Sequence, residues 1–207
     1  MLCTSVSISA ATDTDLRKIY AQHPDKWPAV VTSDGRDAPE LAPLPAAKPT
    51  PKPTKVALGE RLFNDTRLSR DSTVSCASCY EARLAFTDKR RIAVGIDGQA
   101  WKRNTPAIFG IDLWQSFFWD GQAETAEQQE LMPIVDHKEM DASLPQVLER
   151  ISADPDYQKL FKAAYDEESP ISLSNLASAI VAFERTLRPP EGKFEQFINK
   201  AYQNPVE

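Results

Sequence analysis

Apolar positions at helical spacing dominate the last third of the chain. Leu173, Leu176, Ile180, Phe183 and Leu187 follow one another at intervals of 3, 4, 3 and 4 residues, the stripe of one helix face. Upstream, Asp154-Pro155 reads as a helix start with proline in the first turn, followed by Tyr157, Leu160, Phe161 and Ala164. Phe194, Phe197 and Ile198 repeat the pattern after Pro189-Pro190. Near the other end, Thr12 to Gln22 predicts a short helix capped by Thr12 or Asp13, with Leu16, Ile19 and Tyr20 on one side. Val56, Leu58, Leu62 and Phe63 predict another, ended by Asn64-Asp65. No run alternates strongly enough for a sheet. The class is mostly α with long loops.

Proline interrupts this pattern in one place. Eight of the 16 prolines fall between Pro24 and Pro53, where fixed φ and missing donors exclude a helix or central strand. Trp27, Leu41 and Leu44 are its occasional apolar anchors, so the segment is expected to lie as an extended strap over a domain surface. Three regions follow: residues 1–11, a signal remnant or a disordered start; residues 12–53, the short helix and strap; and residues 54–207, the main domain. Met1 to Ala11 is mildly apolar and ends in small residues, but lacks a basic leading segment.

Composition narrows the functional classes. The 207 residues carry 24 Lys plus Arg against 30 Asp plus Glu, a net charge of −6 without a basic block, which suits nucleic acid poorly. The longest apolar stretches, such as Leu176 to Phe183, fall far short of the ~20 residues of a membrane span. With only 7 Gly, no phosphate-binding glycine motif is present. Two histidines, His23 and His137, exclude a site built on several imidazoles; both are expected on the surface.

Chemistry concentrates at Cys76-Ala77-Ser78-Cys79-Tyr80. Cys3 stands apart, as a free thiol or part of a leader. A CxxC pair has four readings. Zinc normally takes four ligands, and no second pair exists. A thioredoxin-like redox pair belongs to a βαβ setting, which a helical chain does not offer. A local disulfide and covalent haem attachment, usually CxxCH, both stay open. Tyr80 stands where the histidine of CxxCH would be.

The surroundings of that pair carry a resemblance. LGERLFNDTRLSRDSTVSCASC, AFTDKRRIAVGIDGQ, RNTPAIFG and SFFWDGQAETAEQQELMPIVDHKEM, in this order, resemble the bacterial di-haem cytochrome c peroxidases, including their MauG-like branch. The lead-in KWPAV and APELAPLP and the closing SNLASAIVAFERTL are similar to the same family, so the likeness runs from about Leu16 to Phe197. It implies a c-type cytochrome-like helical domain. It also implies a haem c bound through Cys76 and Cys79, with Tyr80 in the axial ligand's place. Asn104 matches a residue that helps to bind calcium, and Trp119 one that relays electrons. Gln129 and Glu139 match the polar pair on the peroxide-binding side, and the family's removable distal histidine, near Ile96-Asp97, is absent.

The implied activity is reduction of hydrogen peroxide with electrons from a small redox protein, a cytochrome c or cupredoxin, in the periplasm. Glu139 would relay a proton as general base and then acid, its pKa raised by burial, while Gln129 would hold peroxide without adding charge. Tyr80 has an ordinary pKa near 10 and ligates well only when ionised; Arg83, three residues on, is expected to favour that ionisation. Tyrosinate ligation is known in catalase-type sites. The family's second haem domain has no counterpart before Glu207, and no cysteine follows Cys79. A fragment, a degenerate paralogue and one part of a split protein are the resulting alternatives, with a homodimer or a separate partner domain filling the gap. A haem-binding electron-transfer module without turnover, or a haem-free remnant with a Cys76–Cys79 disulfide, are the competing functions.

Overall fold

A computed structural model describes residues 12–36, 38, 41–46 and 48–203. The first 11 residues, with Cys3 and the segment read as a signal remnant or a disordered start, lie outside the described residues. The chain divides into two compact units, Ala47–Pro189 and Met1–Ala46 with Pro190–Glu207. Among the described residues regular structure is helical, with three isolated antiparallel bridges and no named strand.

The larger unit is organised around helices α2 (Pro53–Phe63) and α7 (Leu173–Glu184). Proline in the first turn of α2 and the Ser172 cap of α7, whose side chain accepts from the Asn175 N–H, fix the two starts. The helices meet at Gly59, where an added Cβ would lie 1.8 Å from the Ala179 carbonyl oxygen; only hydrogen allows so close a crossing. Leu58, Leu62, Leu176, Ala179 and Ile180 are fully buried, each large side chain contributing about 1.5–3 kcal/mol. The expected stripe is right, except that Leu187 lies beyond the end of α7.

A single-turn helix, α3 (Cys76–Cys79), carries the cysteine pair. Two further helices, α4 (Ala126–Val135) and α5 (Leu144–Ser152), did not stand out in the sequence. Pro133 inside α4 interrupts its pattern, whereas α5 begins with Pro145 in its first turn. Helix α6 (Pro155–Ala164) starts where Asp154-Pro155 predicts, with the Asp154 side chain accepting from the Asp156 N–H.

Polar contacts hold the segment between α2 and α3. Arg67 donates from Nε and Nη2 to both oxygens of Asp65, at 3.0 and 2.7 Å, and from Nη1 to Asp154 at 2.9 Å. Tyr157 Oη donates to Asp65 at 2.7 Å. Burial alone would raise the Asp65 pKa, but the Arg67 and Tyr157 hydrogen bonds more than offset it and hold it below the usual range. Arg150 donates to the carbonyls of Arg67, Ser69 and Arg70. The fully buried Ser69 hydroxyl accepts from the Thr73 and Val74 N–H groups, so the approach to Cys76 is fixed.

In the smaller unit, α1 (Asp13–Tyr20) begins at a Thr12 capping box, and α8 (Lys193–Gln203) presents Phe197 and Tyr202. Trp27 stacks on Phe197 at 6.0 Å, meets Tyr20 edge-on at 5.3 Å and donates from its indole N–H to the Gln22 carbonyl. It is an anchor, as expected. Leu41 and Leu44 are not: their side chains are exposed, and Leu41 contributes only its carbonyl, to the Tyr202 hydroxyl. His23 also departs from expectation: its partly covered ring pairs with Asp25 at 2.8 Å and caps the turn that follows.

Candidate functional site

A cavity of about 420 Å³ opens in the larger unit, within the range of about 300–1,000 Å³ usual for cofactor and ligand sites. Cys76, Cys79 and Tyr80 form one part of its lining, Gln129 and Glu139 another, and Trp101, Trp114, Phe117 and Phe118 supply aromatic surface. All the residues singled out for cofactor binding and proton transfer therefore share one cavity, and Trp119 and Asn104 line it too.

The cysteines are unbridged and partly buried. Burial pushes the Cys76 thiol well above its ordinary pKa, with the Glu130 and Glu184 carboxyls adding to the effect; burial likewise lifts Cys79 to about 11. A redox-active CxxC needs the opposite shift, toward thiolate, so its nucleophile is missing here.

Tyr80 ends the α3 turn, at φ −118° and ψ 66°, rather than continuing a helix. Its ring packs against Phe63 at 6.3 Å. Burial first, then Glu184 and Glu130, push its phenol well above the ordinary value. The expectation that Arg83 would favour ionisation fails. The helix stops before it, and its exposed guanidinium pairs with Glu81 at 2.7 Å.

Glu139 sits partly buried at the end of a tight turn after α4. Burial, with Asp136 adding a smaller effect, raises its carboxyl to about 7. That matches the expected direction and leaves the group half-protonated near neutral pH. Gln129 lies on α4, partly buried; Pro133, four residues on, has no N–H to give its carbonyl. His137 is exposed, as expected, and offers only its carbonyl, to Gln99.

Trp119 is 58% exposed, and its indole N–H donates to the Asn104 carbonyl at 3.0 Å. Phe118 before it takes a left-handed φ of 64°, and Gly121 one of 71°, so a tight turn projects the indole outward. The Asn104 side chain is exposed and reaches only the Thr105 carbonyl, at 3.4 Å.

Two groups went unnoticed in the sequence. Glu130 on α4 and Glu184 on α7 are 5% and 3% exposed and line the same cavity. Glu184 ends the apolar run of residues 179–183, a signal that marks a buried carboxyl; Glu130 follows Gln128 and Gln129 and carries no such signal. Their side chains hydrogen-bond to each other; burial raises both, the Glu184 charge adds to the rise of Glu130, and the bond from Glu130 only partly offsets that of Glu184, which reaches about 7. One proton between them is the stable arrangement. Glu130 Oε1 has no protein partner and is buried, a polar atom left for something inside the cavity.

A profile of di-haem cytochrome c peroxidases matches residues 53–203. The chain belongs to that family. It is 40% identical over 159 residues to the methylamine utilization protein MauG of Methylorubrum extorquens, covering 77% of this chain and 45% of the relative. It is 34% identical over 159 residues to the cytochrome c peroxidase Ccp of Escherichia coli, covering 76% and 34%. Among solved structures it resembles a MauG-like protein associated with microbial copper homeostasis, with a TM-score of 0.68 at 32% identity over 78% of this chain and 51% of that one. The helical fold is the di-haem peroxidase fold. The chain spans less than half the length of these two curated relatives.

The residues present fit the family's haem in most respects. The cavity brings two free thiols, an aromatic lining and an unpartnered buried oxygen together. Tyr80 is the point of tension, because two carboxyls beside it oppose the phenolate that iron would prefer. No described helix is long and apolar enough to cross a membrane.

Proposed function

We propose that this chain is a haem-binding domain that reduces hydrogen peroxide with electrons from a small redox protein, a cytochrome c or cupredoxin, in the periplasm. One observation carries the reading: Cys76, Cys79 and Tyr80 face the same cavity as Gln129 and a Glu139 poised near neutral pH. Cys76 and Cys79 would hold the haem by thioether bonds, Tyr80 would offer its phenol oxygen to the iron, and Asn104 would contribute to a calcium site. When bound, the haem supplies a redox-active iron at which peroxide is reduced.

The proton chemistry belongs to the chain. Half-ionised at about pH 7, Glu139 can take a proton from one oxygen of hydrogen peroxide and return it to the other; with two electrons from the redox-protein donor and two protons from solvent, the O–O bond breaks and both oxygens end as water. Gln129 holds the peroxide by neutral hydrogen bonds, so its charge does not compete with the proton that Glu139 carries. The aromatic lining limits water around that carboxyl, which keeps its pKa high. Trp119, exposed and hydrogen-bonded to Asn104, serves as the point of electron entry.

A second reading is favoured by the carboxyls around Tyr80: a haem-binding module without turnover, or a haem-free remnant. Steady-state peroxide reduction by the haem-loaded chain, with a reduced cytochrome c as donor, separates them. Glu139→Gln is expected to lower the rate by about 10²–10⁴-fold while leaving haem content unchanged. A parent chain that binds haem but turns over no peroxide would leave the module reading.

A further inference from the structure

Glu139 is held by contacts that the proton chemistry does not itself require. Its turn, residues 136–141, is closed by the Asp141 N–H, which donates to the Asp136 carbonyl at 2.9 Å. A second loop packs directly on this backbone. Ile96 donates its N–H to the Glu139 carbonyl at 2.8 Å, and Gln99 donates from its side chain to the His137 carbonyl at 3.1 Å. At Gly95 an added Cβ would fall 2.1 Å from the Lys138 oxygen and 2.6 Å from the Glu139 Cα. Loop and turn touch without room for a side chain.

Arg70 joins the two. Its backbone N–H donates to the Met140 carbonyl at 2.9 Å. Its guanidinium donates from Nη1 to Asp141 at 2.5 Å and from Nη2 to Asp97 at 2.7 Å. Asp141 and Asp97 both have left-handed backbones, φ 49° and 56°, a conformation uncommon outside glycine and sustained only where the surroundings impose it. Arg70 is fixed in turn, because Arg150 on α5 donates to its carbonyl at 3.0 Å. A continuous path runs from α5 through Arg70 to both sides of Glu139.

We propose that Arg70 is a positioning residue for Glu139, bridging Asp97 and Asp141 so that the 95–98 loop and the 136–141 turn hold the Glu139 carboxyl in the cavity wall. The proposal rests on Glu139 being the proton-moving group of the preceding reading. Arg70, Asp97 and Asp141 are partly exposed, with side chains 46%, 53% and 32% accessible. Pairs of that kind add little to global stability, so the effect of Arg70 is local. Its fork meets two carboxylates at once, which lysine cannot reproduce.

The test compares the full chain with Arg70→Ala and Arg70→Lys. Amide hydrogen exchange reads the clamp, and a side-chain ¹³C NMR titration reads Glu139. Glu139→Gln and Glu184→Gln spectra supply the assignments. The titratable groups around the Glu139 carboxyl are Asp136 on its own turn and Cys79 and Tyr80 across the cavity; none is altered by the substitutions.

In Arg70→Ala the Ile96 amide is expected to exchange at least about tenfold faster. The Glu139 midpoint, about 7 in the parent, should fall by a pH unit or more as water reaches the carboxyl. Glu184, also near 7, should not move, and Arg70→Lys should recover part of both effects. Unchanged Ile96 exchange and an unchanged Glu139 midpoint would overturn the proposal. So would uniform acceleration across all amides, which marks a merely structural role. If the haem-loaded chain reduces no peroxide while Glu139 still follows Arg70, the clamp stands and the catalytic reading falls.

Discussion

Glu130 and Glu184 share a hydrogen bond between carboxyl groups that are both more than nine-tenths buried. Two like charges cannot both ionise there, so the folded chain retains a proton that the unfolded chain gives up. Glu139, raised to about 7, behaves in the same way.

Stability without haem should therefore fall as pH rises. A carboxyl whose folded pKa lies above its ordinary 4.5 favours the fold fully below that value and loses this contribution as pH climbs through about 7. Urea unfolding at pH 5 and pH 8 should differ by about 1–3 kcal/mol in favour of pH 5. Glu184→Gln should flatten the profile. A chain equally stable at both values would contradict the buried pair.

At lower pH the sign reverses. Asp65 and Asp154 are held below the usual carboxylate range, so their contribution is present above about pH 4 and lost as pH falls through their folded values. Arg67→Ala leaves the nearly buried Asp65 without its main partner and should cost about 2–4 kcal/mol at pH 7, measured by urea unfolding. The loss should shrink toward pH 3.

Gly59→Ala tests the helix crossing. A methyl group 1.8 Å from the Ala179 carbonyl oxygen forces α2 and α7 apart, and a loss of about 3 kcal/mol or more is expected despite the better helix propensity of alanine. A neutral or stabilising result by thermal unfolding would refute the close approach.

Much of this was legible in the sequence, for a physical reason. Helices α2, α6 and α7 bury one face in a continuous core, so their apolar spacing is clean, and caps or prolines mark their starts. Helix α4 lines a cavity instead. It carries Gln129, Glu130 and Pro133 where a core helix would carry apolar residues, which hides its period. The cysteine pair and Glu139 were visible through ordered motifs. Glu130, Glu184 and Arg70 were not, because their meaning lies in contacts 27 to 71 residues apart for Arg70 and between separate helices for the two glutamates. Local pattern also misjudged Tyr80, since the turn that ends at Cys79 removes Arg83 from its face.

Trp119 gives a clean separation of roles. At 58% exposure it contributes little packing, so Trp119→Ala should change stability by no more than about 0.5–1 kcal/mol. Electron uptake from a reduced cytochrome c, followed by stopped flow on the haem-loaded chain, should slow at least about tenfold if the indole is the entry point. An unchanged rate places the entry elsewhere.

Haem attachment is the most direct test of all. The chain, produced in a host with c-type cytochrome maturation, is examined by intact mass and visible absorption. One covalent haem and a Soret band are expected, both lost when Cys76 and Cys79 are replaced by alanine. A colourless chain at its unmodified polypeptide mass, or lighter by two hydrogens from a bond between those sulfurs, would contradict it.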